Sequence, residues 1–223
     1  MDEVSYAYYP VFTGAPDLRD RSTEDLDQLS HDAEILFKEH ADRVQVRGFY
    51  DARGFRPDVD LLMWWVARSM EDVQDLLGAL RHTVLGRALD LTHAFTGVVR
   101  PPEFNPRHVP AFLRGEDPRG WLCVYPFVRT QEWYLQPAER RAELLREHGE
   151  MGREFPDVLP NTTSAFGLGD WEWILAFEAD QLHRIVDCIR RLRDSDSRRF
   201  VKEEVPFVVG RRVELTEAVG SLL

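Results

Sequence analysis

The sequence predicts an α+β chain made of two similar halves, each a split βαβ, or ferredoxin-like, unit. Three observations predict it. Alternating apolar runs and amphipathic segments follow one another in the order β-α-β-β-α-β, and that order occurs twice. Tyr9-Pro10-Val11-Phe12 is echoed by Tyr125-Pro126-Phe127-Val128, and Trp64-Trp65-Val66 by Trp173-Ile174-Leu175, each of the latter two standing before a helix. Between the halves, Arg100 to Gly120 carries Pro101, Pro102, Pro106, Pro110 and Pro118, too many for regular structure. The halves are therefore placed at 1–100 and 121–223, with a linker at 101–120.

Val4 to Phe12 alternates and is rich in tyrosine, which predicts a strand. Ser22-Thr23-Glu24-Asp25 opens a helix to about His40, with Leu26, Leu29, Ala33, Leu36 and Phe37 at helical spacing. Val44 to Tyr50 is a strand, followed by a turn near Gly54 and an apolar strand from Asp60 to Ala67. Met70 to Leu80 is a helix ending near Thr83, and Leu91 to Val99 completes the first half. The second half opens with a strand from Trp121 to Arg129. A helix follows from Pro137 to Phe155, proline being favoured at a helix start. Asn161 to Leu168 and Trp171 to Phe177 are read as a hairpin across Gly169-Asp170. Asp180 to Leu192 is a helix, and Phe207 to Glu214 is expected to close the second half.

The chain has 223 residues, 43% of them hydrophobic, with 13 Phe, 6 Trp and 6 Tyr, enough for a sizeable core. Its net charge of -11 argues against nucleic acid, whose binding needs an excess of positive charge. Lys38 and Lys202 are the only lysines, so the cations are almost all arginine, whose forked donors suit carboxylates. Cys123 in an apolar strand and Cys188 in a helix are expected to be buried thiols. Met1-Asp2-Glu3-Val4 lacks the basic and apolar regions of a signal peptide, and no apolar run approaches a membrane span. The expectation is a soluble cytoplasmic protein.

Two segments carry chemistry. His148 shares a helix face with Leu144, Leu145 and Met151, where a lone imidazole is ordinarily a satisfied core residue. Tyr125 alternates in phase with Cys123, Phe127 and Arg129, where a tyrosine is ordinarily packing. A phenol can surrender an electron and a proton, and a neutral imidazole can hold iron; haem redox chemistry uses both. His108, in Asn105-Pro106-Arg107-His108-Val109-Pro110, would by itself be an exposed loop residue. Arg153, Arg193 and Ser197 stand near helix ends, where arginines are commonly solvated. His31, His40, His82, His93 and His183 show no metal-ligand spacing.

Three motifs turn these readings. They are Trp121-Leu122-Cys123-Val124-Tyr125-Pro126, Trp133-Tyr134-Leu135-Gln136-Pro137, and Arg146-Glu147-His148-Gly149-Glu150-Met151-Gly152-Arg153, with Gly167-Leu168-Gly169-Asp170-Trp171-Glu172-Trp173 alongside. Together they resemble the chlorite dismutase superfamily and, within it, the coproheme decarboxylases of the actinobacterial branch. The resemblance implies two ferredoxin-like halves per chain, the dimeric α+β barrel arrangement, commonly in a homopentamer. It implies hydrogen peroxide-dependent decarboxylation of two propionates of iron coproporphyrin III, which is both substrate and redox cofactor, giving haem b. By resemblance His148 is the axial iron ligand, Tyr125 the radical-forming tyrosine and His108 the distal base. Arg129 stands where many relatives place a lysine; it can pair with a propionate but cannot donate a proton. Arg153, Arg193 and Ser197 would hold propionates. A transient encounter with coproporphyrin ferrochelatase is a further implication.

Chlorite-degrading members carry a distal arginine thirteen residues after the axial histidine. Position 161 here is asparagine, which argues against chlorite dismutation. A haem-binding or handover protein without turnover stays open as an alternative, and an aligned phenol is what such a protein would not need. Peroxidase activity of the dye-decolourising type would call for a distal Asp-Arg pair, for which the sequence offers no candidate.

Overall fold

The structure is a computed structural model, and it describes residues 4–100 and 109–222. In chain order these form β1 (Ser5–Gly14), α1 (Thr23–Glu39), β2 (Val44–Asp51), β3 (Leu61–Ala67), α2 (Met70–His82), α3 (Val84–Arg87) and β4 (Leu89–Val99). They continue with β5 (Trp121–Arg129), α4 (Gln131–Leu135), α5 (Ala138–Gly152), β6 (Leu159–Ser164), β7 (Trp173–Ala179) and α6 (Leu182–Leu192). Last come β8 (Val201–Glu203), β9 (Val208–Val213) and α7 (Leu215–Gly220). The chain divides into two compact units, 1–109 with 208–223, and 110–207.

The first unit is ferredoxin-like. Its strands pair antiparallel in the order β4-β1-β3-β2, and β9 adds to the free side of β2. Local chemistry starts its helices. Ser22 caps α1 in a reciprocal box with Asp25, and the Ser69 hydroxyl accepts from the Asp72 amide to open α2. The apolar stripes of both helices, Leu26, Leu29, Ala33, Val73, Leu76 and Leu80, share one core with Trp65, Met63 and Phe12 of the strands. Val213, Leu215, Val219 and Leu222 of β9 and the α7 region belong to the same core.

The second unit repeats the plan. Its strand order is β6-β7-β5-β8, which read from β8 is the ferredoxin-like order again. β5 lies in the middle with buried residues from Leu122 to Pro126 on both faces. β6 shows clean alternation, Leu159, Asn161 and Thr163 buried and Pro160 and Thr162 exposed. Cys123 and Cys188 are buried and free, as expected. Among the described residues no helix is long and apolar enough to cross a membrane.

Several boundaries differ from the sequence reading. The segment 207–214 contains β9, which pairs with β2, Phe49 to Val213, and falls with the first unit. The sequence reading has no counterpart of β8, three residues with two charges that pair with β5 at two positions and show no alternation. β6 and β7 are joined by a loop over 165–172, so the turn is wider than Gly169-Asp170 and Leu168 lies outside the strand. α4 intervenes before α5, which ends at Gly152 rather than Phe155. These short pieces carry too few residues to establish a period.

Candidate functional site

β5 positions the phenol. Tyr125 shares a face of the strand with Cys123, and in register Cys123 faces Phe177 and Tyr125 faces Leu175 of β7. The Tyr125 ring stacks on Phe207 at 4.4 Å between centroids and 26° between planes, and lies 6.1 Å from Phe177. Only 4% of the residue is exposed. Burial raises its pKa well above the ordinary phenol value; Cys123 and Glu204 push the same way and Arg193 opposes them. The phenol is therefore protonated at any working pH.

α5 positions the imidazole. Pro137 precedes its first turn, ion pairs Arg140–Glu143 and Arg146–Glu150 lace its exposed side, and Leu144 is buried. His148 lies one turn on from Leu144. Its Nδ1 is buried and has no hydrogen-bond partner among the described residues. Its pKa is lowered, first by burial, then by the Arg129 charge, with Glu204 opposing. His148 is thus a neutral imidazole with unused capacity, the form in which histidine ligates a metal. No cluster of three or more His, Cys, Asp or Glu side chains that could hold a metal ion occurs among the described residues. A haem iron, four of whose bonds come from its own macrocycle, needs only one side chain of this kind.

Arg129 ends β5, just past a register shift between Val128 and Arg129. Its guanidinium sits 4.0 Å from the Trp133 ring centre and 4.6 Å from that of Phe127, and Nη1 donates to the Ser197 carbonyl at 3.0 Å. Burial pushes its pKa down to about 10, so it stays cationic. Ser197 is buried, its hydroxyl bonded to that of Ser195 and its amide to the Ser195 hydroxyl. Arg193 and Arg198 both donate to Glu204. The structure thus brings Tyr125, Arg129, His148, Arg193 and Ser197 into one neighbourhood of the second unit.

Arg153 caps the end of α5 and stands in solvent: its side chain is 72% exposed and meets Glu150 at 3.8 Å. His108 lies outside the described residues. Sequence reasoning missed Glu204 and Phe207, which the structure sets against Arg193 and Tyr125. Glu204 follows Lys202-Glu203 in a charged run with no periodic signal, and Phe207 reads in the sequence as the first residue of a strand. Trp133 stands inside a quoted motif without a role; its ring is the platform for Arg129.

Asn161 has a defined structural task. Its Oδ1 accepts from the Phe112 amide at 3.0 Å, and its Nδ2 donates to the Ala176 carbonyl and Glu178 carboxylate, each at 3.1 Å. The side chain is buried and fully engaged, with no cation at that position.

Paired split-βαβ units, the second holding a neutral imidazole and a protonated, stacked phenol, define an α+β protein equipped for ligating and redox chemistry. The chain belongs to the chlorite dismutase family, whose model matches residues 19–213. Among its relatives, a coproheme decarboxylase of Mycolicibacterium smegmatis is 44% identical over 221 residues, 98% of this chain and 94% of that protein. A coproheme decarboxylase of Thermus thermophilus is 26% identical over 192 residues, 79% of this chain and 74% of its own length. In the fold, a chlorite dismutase of Candidatus Nitrospira defluvii in complex with imidazole superposes with a TM-score of 0.87 at 23% identity, over 98% of this chain and 94% of that one.

Proposed function

We propose that this chain is a coproheme decarboxylase. It is an oxidoreductase of haem biosynthesis that converts iron coproporphyrin III to haem b through a three-propionate porphyrin, with hydrogen peroxide as oxidant. The observation that carries the reading is a buried, protonated Tyr125 and a neutral His148 in the same unit, in a chain 44% identical over nearly its whole length to a coproheme decarboxylase.

Bound coproheme supplies the redox-active iron and the propionates. His148 holds the iron, since its imidazole is neutral and its Nδ1 is unpartnered. Arg129, Arg153, Arg193 and Ser197 bind and orient the carboxylates, with charge-assisted bonds as the source of affinity. Arg193 must then exchange part of its Glu204 contact for substrate. His108 takes a proton from peroxide as a general base. Tyr125, whose oxygen keeps its proton at rest, loses proton and electron together. Its phenoxyl takes a hydrogen atom from the β-carbon of a propionate. Loss of a second electron from that carbon breaks the bond to the carboxylate, releasing carbon dioxide and leaving a vinyl group. Each round balances as one propionic acid and one peroxide giving one vinyl, one carbon dioxide and two waters. A homopentamer, a cytoplasmic location and a transient encounter with coproporphyrin ferrochelatase belong to the same proposal.

The test is to add iron coproporphyrin III and peroxide to the purified protein and follow porphyrin masses. Sequential loss of two carboxyl groups is expected. A porphyrin of unchanged mass, bound and released intact, would make the chain a carrier.

A further inference from the structure

A second phenol lies on the surface of the same unit, and its surroundings differ from those of Tyr125. The Tyr134 hydroxyl donates to Glu172 Oε2 at 2.6 Å, a charge-assisted bond at the short end of the O–H···O range. Tyr134 is 38% exposed. Its ring meets Phe166 edge-on at 6.1 Å, and Phe166 meets Trp173 edge-on at 5.4 Å, so two oxidisable rings share one aromatic ridge. Tyr134 resists simple ionisation: its pKa is raised to about 12 by burial and by the Glu172 bond, with the Trp173 indole pulling the other way. A phenol that cannot ionise but is already bonded to a base loses its electron with its proton, and Glu172 is placed to take that proton.

The same carboxylate oxygen accepts the Arg129 amide at 2.7 Å. The pair is thereby tied to the end of β5, where Arg129 lies against Trp133, the chain neighbour of Tyr134. From Tyr125 to Arg129 is about 13 Å along the strand at 3.3 Å per residue. Glu172 also lines an open pocket of about 340 Å³ with Arg129, Thr130, Gln131 and Lys202, large enough for a single aromatic ring.

We infer that Tyr134 and Glu172 form a surface one-electron redox site that takes electrons from small phenolic donors, giving the protein a peroxidase activity beside decarboxylation. Its peroxide-driven half rests on the function proposed above. In the oxidising step Tyr134 gives one electron inward and its proton to Glu172. In the return step a donor phenol gives one electron to the Tyr134 phenoxyl, the Glu172 proton goes back to the Tyr134 oxygen, and the donor's proton replaces it. Two donors are oxidised to phenoxyl radicals for each peroxide reduced to two waters.

Two experiments test this. In the first, protein without porphyrin is illuminated with tris(bipyridine)ruthenium and persulfate, and oxidised tyrosines are mapped by mass spectrometry. Tyr134 should be modified well ahead of Tyr6, the other partly exposed tyrosine. Glu172→Gln should lower the Tyr134 yield by about tenfold or more, near the low end of what a positioned base contributes. Equal modification of Tyr134 and Tyr6, or a Glu172→Gln yield like that of the parent, would overturn the site. In the second, coproheme-loaded protein receives peroxide and guaiacol. Tyr134→Phe removes one exposed oxygen and should cut guaiacol oxidation about tenfold while haem b still forms. Guaiacol oxidation at the parent rate in Tyr134→Phe would refute the activity. A protein that neither binds nor decarboxylates coproheme would refute the proposed function and the peroxide-driven activity together, and the first experiment still decides the redox site on its own.

Discussion

At Tyr125 one oxygen separates a packing residue from a reagent. Tyr125→Phe keeps the ring that stacks on Phe207, so stability should change by no more than about 1–2 kcal/mol in urea denaturation, the order of one net hydrogen bond. Coproheme should still bind, and decarboxylation should stop before the first carboxyl group leaves. Mass spectrometry reads the result, and haem b at near-normal yield would shift the role to another phenol, Tyr134 first. His148 offers an independent check. His148→Ala should abolish the five-coordinate histidine signature in resonance Raman spectra of the coproheme complex. Its lowered pKa also sets a sign for stability without porphyrin. Unfolded, the residue takes a proton near its ordinary value of about 6.5; folded, it resists doing so until lower pH. The unfolded state then binds more protons, so stability should fall as pH drops below about 6.5. Denaturation midpoints at pH 7 and pH 5 should differ less in His148→Ala than in the parent, and an identical difference would remove His148 from that account. Residue identity at this scale was largely legible: the phase of Tyr125, Cys123, Phe127 and Arg129 on one strand is a matter of counting by two. What they touch was not, because Glu204 and Phe207 approach from far along the chain.

An element is only as legible as its period is long. β5 and α5 announced themselves, the one by a continuous apolar run over nine residues, the other by a proline at its start and apolar positions three and four apart. β8 has three residues and α4 five, too short for either rhythm. β6 illustrates how an element's chemistry can depend on one inward position. Asn161 bonds the Phe112 amide, the Ala176 carbonyl and Glu178, tying the 3-10 turn Ala111–Leu113 to β6 and β7. Asn161→Ala removes these three bonds at a buried position and should cost about 1–3 kcal/mol, measurable by urea denaturation. An amide committed in this way cannot serve as a distal cation. Chlorite should therefore yield little sustained oxygen in an electrode, and steady evolution over many turnovers without bleaching would contradict the reading of position 161.

At the scale of the molecule, the repeat was legible because both halves reuse the same aromatic strand and the same βαββαβ rhythm. The pairing of β9 with β2 was not, because the partner lies about 160 residues back in the chain and no local pattern signals it. That pairing makes the first unit depend on residues that arrive last. Val213, Leu215, Val219 and Leu222 are all buried in its core, each worth about 1.5–3 kcal/mol, so about 6–12 kcal/mol together. This is comparable to the whole net stability of a typical domain, about 5–15 kcal/mol. A chain ending at Phe207 should therefore bind the dye ANS and lose its cooperative transition in the first unit; a sharp, parent-like transition would show those residues to be dispensable. The consequence reaches into biosynthesis. A ribosome adding about 5–20 residues each second delivers 110–207 over roughly 5–20 s before β9 emerges. Through that interval the N-terminal half waits with an open strand edge at β2 and uncovered leucines on α1, a window in which a chaperone can hold it and a neighbouring nascent chain can capture it.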